Sequence, residues 1–530
     1  MTNTLFQDYL LQKETIASFF NYPLQPSRDQ VCEDVLANYK HRQFLQELGR
    51  QNEPNPDVSV QEQINLLSQS NTVLVVTGQQ LGIFVSPLYT IYKILTAILL
   101  SRKLAMQFKR YHFLPVFWLE GEDHDFAEVN HAQLFDKAGS IIKIEHPDYT
   151  NYHQYSMSKR PLSLEITNIL QQLRDELQET EFSIPLFEKL EKIYVPECPW
   201  VEAFAGHLQV VFEGLGLLLF NPSTQRVKEY SQDFFVQLLK NNNRVTEALL
   251  KQSQAIQSHG YENQVPVDPQ KSYLFLSTDG LHRRHLLRRN SSEFYFKDSD
   301  KTYSCPELIE MIRSHPDWCS SSVLSRPLWQ SWMLPVIAYV GGPAEVSYWA
   351  QLKGAFDKMH VVMPVVYPRI RLTLIEPKIK RLLDKFDLNY DSINSDTEQF
   401  IVEFMKSHQS PHLQEEFKKL NRCLNERAKV IQNQVKTVDP TLDNLVKKTF
   451  ENVSTTIDKL HTRVFKGVEE KEQTITKQLR NLHQQIYPDG QLQERYISSL
   501  YYLNKFGPQW IRQLMQEVNV DETGHQVIYL

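Results

Sequence analysis

Val73-Leu74-Val75-Val76-Thr77-Gly78-Gln79-Gln80-Leu81-Gly82 decides the fold. The unbroken apolar run Val73 to Val76 has the pattern of a strand buried on both faces, as in parallel sheets. Two glycines among Thr77, Gln79 and Gln80 predict a turn at its exit, where backbone can approach a ligand closely. Pro87 suits the first turn of a helix, and the apolar run Leu88 to Leu100 continues it. A second strand, Leu114-Pro115-Val116-Phe117-Trp118-Leu119, ends in Glu120-Gly121-Glu122-Asp123-His124-Asp125. The stretch is a βαβ unit, and ligands of open α/β sheets sit outside the carboxyl ends of their strands.

The acidic cluster after the second strand would be costly at the edge of a core without partners. If the chain is helical from about Asp123, then His124, Glu128 and His131 share one face. Three chemistries stay open for Glu122, Asp123, His124 and Asp125. One is acid–base work by a histidine that a carboxylate orients. Another is a divalent metal held by the carboxylates with His124 or His131. The third is a capped helix start with a buried ion network. The first turn is neither G-x-G-x-x-G nor a P-loop, since Gly78 and Gly82 are spaced differently and no lysine follows in place.

The design repeats later. Leu334 to Val340 reads as a strand followed by Gly341-Gly342-Pro343-Ala344-Glu345, with Glu345 in a first helical turn, where a carboxylate suits the dipole. Val361 to Pro368 reads as the last core strand and ends at Arg369 and Arg371, well placed for a carboxylate or phosphate. The period shortens towards two between about 255 and 305, which predicts a small antiparallel insertion. Its basic run, His282 to Arg289, suits either an anionic ligand or a solvated loop.

From 375 to 486 glycine is reduced to Gly467. Leu413, Phe417, Leu420, Leu424, Ile431 and Val435 repeat at heptad spacing. After Pro440 so do Leu442, Val446, Phe450, Val453, Ile457, Leu460, Val464, Val468, Ile475, Leu479, Leu482 and Ile486. Two long antiparallel helices follow, with one apolar stripe suited to pairing with a second copy. The expected layout is a core over 1–374 with insertions at about 150–200 and 255–305, an arm over 375–487, and a return segment over 488–530.

The 530 residues carry 57 Lys plus Arg against 63 Asp plus Glu, a net charge of -6, which argues against nucleic acid as a partner. No basic-then-apolar leader opens the chain and no apolar run is long enough to span a membrane, so a cytoplasmic location is expected. The five cysteines, Cys32, Cys198, Cys305, Cys319 and Cys423, form no close pair, so neither a disulfide framework nor a paired-cysteine zinc site is expected.

Several stretches closely resemble the BshC family of bacillithiol biosynthesis: Val76 to Phe84, Ser86 to Lys93, Pro115 to Asp125, Arg326-Pro327-Leu328, Tyr339 to Trp349, Met363 to Arg369 and Leu492 to Arg495. The resemblance implies a Rossmann-like α/β core, similar to class I nucleotidyltransferases, and a coiled-coil dimerisation arm. It also implies a ligase that joins L-cysteine to the amine of glucosaminyl-malate. A free carboxylate is a poor acyl donor, so ATP, with Mg and with ADP or AMP as product, is the expected activator. In that reading His124 or Asp123 takes the amine proton, with Glu122 and Asp125 beside them. The substrate-binding set is Gly78, Gln79, Gln80, Gly82, Ser86, Tyr89, Lys93, His131, Gly341, Gly342, Glu345 and Arg369. Gln493, Arg495 and Lys505 are the nucleotide candidates. The alternatives are a nucleotide-sugar or glycosyl transferase and a coiled-coil scaffold.

Overall fold

The structure is a computed structural model. It describes the chain from Thr4 onward except residues 26, 55, 149–151, 153, 278–282, 291–292, 298, 300 and 409–411, and the side chains of 406–408, 412, 414 and 468–469. His282 of the basic run and the side chain of Val468 therefore lie outside the described residues. The chain divides into two units, one comprising Met1–Thr373 with Glu494–Ile528, the other Leu374–Gln493 with Tyr529–Leu530.

The first unit is built on a five-stranded sheet whose described pairings are all parallel. Its strands are β1 (Thr72–Gln80), β2 (His112–Glu120), β5 (Leu218–Phe220), β11 (Val336–Gly341) and β12 (Val365–Pro368), in the order β12-β11-β1-β2-β5. β1 is central, and Val73 to Val76 are fully buried, as their uninterrupted apolar run requires. The helix Tyr89–Gln107 crosses over from β1 to β2. The polar residues expected in a turn instead extend the strand: Gly78, Gln79 and Gln80 pair with Trp118, Leu119 and Glu120 of β2. On the other side Thr77 aligns with Val340 and donates from Oγ1 to its carbonyl at 2.9 Å. The ends of β1, β2 and β11 are thus in register, and the polar last residues of β1 and β2 share one rim with Gly341 of β11.

Two smaller sheets are inserted in this unit. β3 (His131–Phe135) and β4 (Ile141–Glu145) form a hairpin. The strands β6 (Lys271–Leu276), β7 (His285–Asn290), β8 (Glu293–Phe296), β9 (Thr302–Tyr303) and β10 (Cys319–Ser321) form an antiparallel sheet in the order β10-β6-β7-β8-β9. That sheet runs past residue 305, because β10 returns to pair with β6.

The helix expected from Asp123 is absent. A single turn, Phe126–Val129, forms, and His131 already belongs to β3, so His124, Glu128 and His131 share no helical face. The cause is competition for the backbone. Asp123 Oδ1 accepts from the His124 amide at 2.7 Å, while Met157 N and Ser158 N donate to the carbonyls of Asp123 and Gly121. The Asn130 side-chain Nδ2 donates to the His146 carbonyl at 2.9 Å and ties the chain into the hairpin.

In the second unit the helices His412–Val438 and Asp443–Ile486 are joined by a tight turn, Pro440–Leu442. Asp439 Oδ1 accepts from Thr441 N and Oγ1 and fixes that turn. The 44-residue helix is about 66 Å long at ~1.5 Å per residue. Phe417 packs on His461 and Phe465 across the hairpin. Leu420, Ile431, Leu445 and Leu460 stay exposed on it. Among the described residues no helix is long and apolar enough to cross a membrane.

Candidate active site

A cavity of about 570 Å³ opens at the shared rim of β1, β2 and β11, within the range of small-molecule sites. β1 contributes Gly78, Gln79 and Gln80, and β2 contributes Trp118 and Glu120. Asp123, His124 and Glu128 come from the segment after β2, Tyr89 and Lys93 from the helix after β1, and Gly342 and Glu345 from the helix after β11. β6 and the residues around it close one wall with Tyr273, Phe275 and Arg284.

Glycine at 78 is a packing requirement: a Cβ there would lie 3.0 Å from both the Cβ and the carbonyl oxygen of Trp118. Its own carbonyl accepts from Lys93 Nζ at 2.9 Å. Lys93 is buried, donates also to Gln79 Oε1 at 2.7 Å and pairs with Glu345 Oε2 at 2.5 Å. Burial pulls its pKa down and Glu345 opposes this. Glu345 is the mirror case. Burial pushes its carboxyl up, but Lys93, the Gly342 N–H at 2.8 Å and the Tyr339 hydroxyl at 2.5 Å outweigh it and hold the group below its usual range.

Gln80 donates to Asp123 Oδ2 at 2.7 Å and to Glu128 Oε2 at 2.8 Å. Arg284 sits over the Phe275 ring, donates to Ser321 O at 2.9 Å and to Ser320 Oγ at 3.0 Å, and has Nη1 3.6 Å from Asp123 Oδ1. Arg326 donates to the Tyr348 and Tyr339 hydroxyls at 2.8 and 3.3 Å, with Nε 3.7 Å from Glu120 Oε2. Arg369 is closed by a two-pronged pair with Glu494. Arg495 reaches the cavity with its guanidinium over the Tyr89 ring and makes no ion pair among the described residues.

Several residues chosen from the sequence stand elsewhere. Glu122 points away from the cavity, buried against Lys228, with Oε2 accepting from Ser321 N at 3.1 Å. Asp125 is exposed and does not line the cavity. Gly82 and Ser86 do not line it: a Cβ at Gly82 would collide with the Ser86 carbonyl oxygen, so that glycine serves the turn. Gly341 is likewise crowded, by Glu345 and Tyr339. His131 lies in β3 with Nδ1 3.2 Å from Asn130 Oδ1, outside the cavity. Arg371 donates to Thr523 O and stacks over Phe6. Gln493, in the second unit, holds both backbone groups of Leu374 and the Gln485 carbonyl. Lys505 donates to the Tyr501 hydroxyl at 3.0 Å and is not a lining residue. None of the cysteines lines the cavity; burial pushes the thiols of Cys32 and Cys319 up to about 12. Among the described residues no group of three His, Cys, Asp or Glu side chains is arranged to hold a metal ion.

Sequence reasoning gave no site role to Glu120, Arg326, Tyr339 or Tyr348. Glu120 and Tyr339 carried a signal in their position on apolar strands that end at this rim, and Tyr348 in the helix that follows β11, whereas Arg326 opens the helix before β11 and carried none.

The family model for the N-terminal Rossmann-like domain of "Bacillithiol biosynthesis BshC" matches residues 1–370, and that for its C-terminal coiled-coil domain matches 372–530. A protein of Salinibacter ruber named "Putative cysteine ligase BshC" is 30% identical over 532 residues, covering 99% of this chain and 96% of the relative. Proteins of the same name from Staphylococcus carnosus and Chlorobaculum tepidum are each 29% identical, covering 96% and 93% of this chain and 91% and 89% of the relatives.

Proposed function

The chain belongs to the BshC family of bacillithiol biosynthesis, and from that premise we propose that it is a ligase forming the amide between the carboxyl of L-cysteine and the amine of glucosaminyl-malate. The observation that carries this reading is the cavity itself, where paired cations and carboxylates from three strand ends surround neutral amides and phenols. Such a lining suits a polar acceptor bearing sugar hydroxyls, an ammonium and two carboxylates.

Within the reading the malate carboxylates meet Arg495. Arg369 is engaged by Glu494 and Lys93 by Glu345, whereas Arg495, exposed over the Tyr89 ring, is available to a ligand anion. Gln79 and Gln80 read sugar hydroxyls. The cysteine carboxyl needs conversion to a mixed anhydride with phosphate, and Mg-ATP is the proposed source. With Gln493 and Lys505 each engaged by their own neighbours, no nucleotide site is assigned to them.

A second copy of the chain is the proposed partner of the hairpin, supported by the exposed Leu420, Ile431, Leu445 and Leu460 on helices of heptad pattern. The cytoplasm is the proposed location.

Purified protein with glucosaminyl-malate and cysteine, with and without Mg-ATP, tests the reaction by mass spectrometry. The expected result is the cysteinyl amide only with ATP, together with AMP or ADP. A folded protein that yields no amide with either ATP or a chemically activated cysteine overturns the reading.

A further inference from the structure

Glu120, Asp123 and His124 reach one cavity, but their surroundings make them unequal as proton acceptors. Arginine can only donate, and Arg284 Nη1 lies 3.4 Å from His124 Nδ1, nearer than Asp123 Oδ1 at 3.6 Å, an oxygen that already accepts from the His124 backbone N–H. Nδ1 is therefore the acceptor, and the ring hydrogen resides on Nε2. Held this way, the imidazole offers the cavity an N–H rather than a lone pair. Burial, the facing guanidinium of Arg284 and the charge of Arg160 outweigh Asp123 and Asp125 and hold its pKa below the ordinary value, so the neutral ring persists.

Asp123 is committed. Its two oxygens accept from Gln80 Nε2 and from the His124 amide, each at 2.7 Å. Burial raises its pKa, but Arg284 and these donors outweigh it and keep the carboxylate a weak base.

Glu120 ends β2 in register with Gln80. Its Oε2 accepts from the Trp118 indole N–H at 3.0 Å and lies near Arg326. Its Oε1 has no hydrogen-bond partner among the described residues, and the side chain lines the cavity. The charged groups around it are Arg326 from the helix Arg326–Met333, Arg284 from the segment before β7, Asp123 from the loop after β2, and Lys228 from the helix Gln225–Lys240. Burial and Asp123 raise the Glu120 carboxyl against the two arginines, and the net direction is up, which makes it a better base.

We propose that Glu120 takes the proton from the attacking amine and that His124 donates Nε2–H to the carbonyl oxygen under attack. The assignment rests on the ligase reading above. The sugar ammonium passes one proton to Glu120 Oε1. The freed lone pair then attacks the carbonyl carbon of cysteine carried as a mixed anhydride with phosphate. The C–N bond forms while negative charge gathers on the oxygen facing His124. Collapse breaks the C–O bond to phosphate, which leaves with the electron pair and takes the second nitrogen proton. Glu120 then returns its proton to water.

Two measurements on the full-length chain test this. In histidine-labelled protein, two-bond proton–nitrogen NMR, with the His124 signal identified by its loss in His124→Gln, reads the tautomer without substrate. Neutral His124 with the hydrogen on Nε2 at pH 7 is expected; the Nδ1–H form or an imidazolium overturns the assignment. This result is independent of turnover, so it stands apart from a failure of the ligase reading.

In the second, with pre-activated cysteine, Glu120→Gln is expected to lower kcat roughly a hundredfold at near-unchanged KM and to remove the acid limb of the kcat/KM profile. His124→Gln, which retains an N–H donor, is expected to keep activity within about tenfold of the parent, while His124→Ala loses about a hundredfold. Near-parental turnover in Glu120→Gln, or an acid limb lost with His124→Gln instead, overturns the proposal. Should Glu120→Gln fail to fold, Glu120→Asp is read instead: a lowered kcat with a displaced acid limb is expected, and an unmoved limb overturns the assignment.

Discussion

Arg369 and Glu494 grip each other with two parallel hydrogen bonds, Nη1 to Oε2 at 2.9 Å and Nη2 to Oε1 at 2.7 Å, out of reach of water. The pair fastens the end of β12 to a segment 125 residues further on. The second acceptor duty of Glu494, from Leu372 N at 3.2 Å, ties down the chain after Arg369 as well. Removing one partner strands a buried charge, which costs about 3–5 kcal/mol. Glu494→Gln is therefore expected to lower the unfolding free energy extrapolated from urea melts by that amount, and a loss below about 1 kcal/mol would contradict it.

The same pair gives a pH dependence with a definite sign. Burial raises the Glu494 carboxyl, but Arg369 outweighs burial and holds it below its ordinary value. The stabilisation is then complete above the unfolded carboxyl's pKa of about 4.3 and is lost as pH falls below that value. Stability of the parent should drop more steeply with acid than that of the Arg369→Met, Glu494→Leu double variant, measured by urea melts between pH 6 and 3.

Gly82 calls for a structural test. A methyl group there meets the Ser86 carbonyl, a backbone atom that cannot swing aside. Gly82→Ala should cost about 1–3 kcal/mol through forced backbone shifts, read as a fall in Tm. An unchanged Tm with a raised KM would instead return this glycine to the ligand.

Arg495 offers the opposite profile. It is exposed, lies over the face of Tyr89 and attracts the Glu128 carboxylate through space without a hydrogen bond. Arg495→Gln should leave Tm within a degree or two and raise the KM for glucosaminyl-malate by tenfold or more, the scale of ~1.5–3 kcal/mol for a charged hydrogen bond. A methyl glucosaminide lacking the malate should be indifferent to the change.

Lys228 and Glu122 form a third buried pair, in which Lys228 also donates to the Cys319 carbonyl at 2.6 Å. Glu122 holds Ser321, and the Ser321 carbonyl holds Arg284 at the cavity wall. Lys228→Met should destabilise by about 3–5 kcal/mol, whereas Lys228→Met with Glu122→Leu should cost clearly less than the two single changes added. Strict additivity would mean the two charges do not see one another.

The strands at the heart of the sheet were legible because a strand covered on both faces must be apolar throughout, as Val73 to Val76 are. The hairpin was legible because heptads persist over dozens of residues. Side-chain direction near strand ends was not. Glu122 and Asp123 are neighbours of equal charge, yet one turns to Lys228 and the other to the cavity, a choice made by a lysine more than a hundred residues away. Arg369 read as a free anion receptor because its partner is equally remote. Within the basic run, Arg284 reaches the cavity while Arg288 stands 3.6 Å from Asp268, a distinction set by how β7 registers against β6. Gln493 resembled a ligand residue because an amide serves a backbone as readily as a nucleotide.

The order of the strands carries a cost in time. β1 and β2 are made early and lie close in sequence, but the other neighbour of β1 is β11, more than two hundred residues downstream, and Arg495 comes later still. A chain emerging from the ribosome holds three strands of its five-stranded central sheet, β1, β2 and β5, with one edge of β1 uncovered until β11 arrives. The cavity is complete only when synthesis has passed residue 495, so ligand binding reports on nearly the entire polypeptide, and a nascent chain stopped short of that point has an exposed strand edge and no complete site.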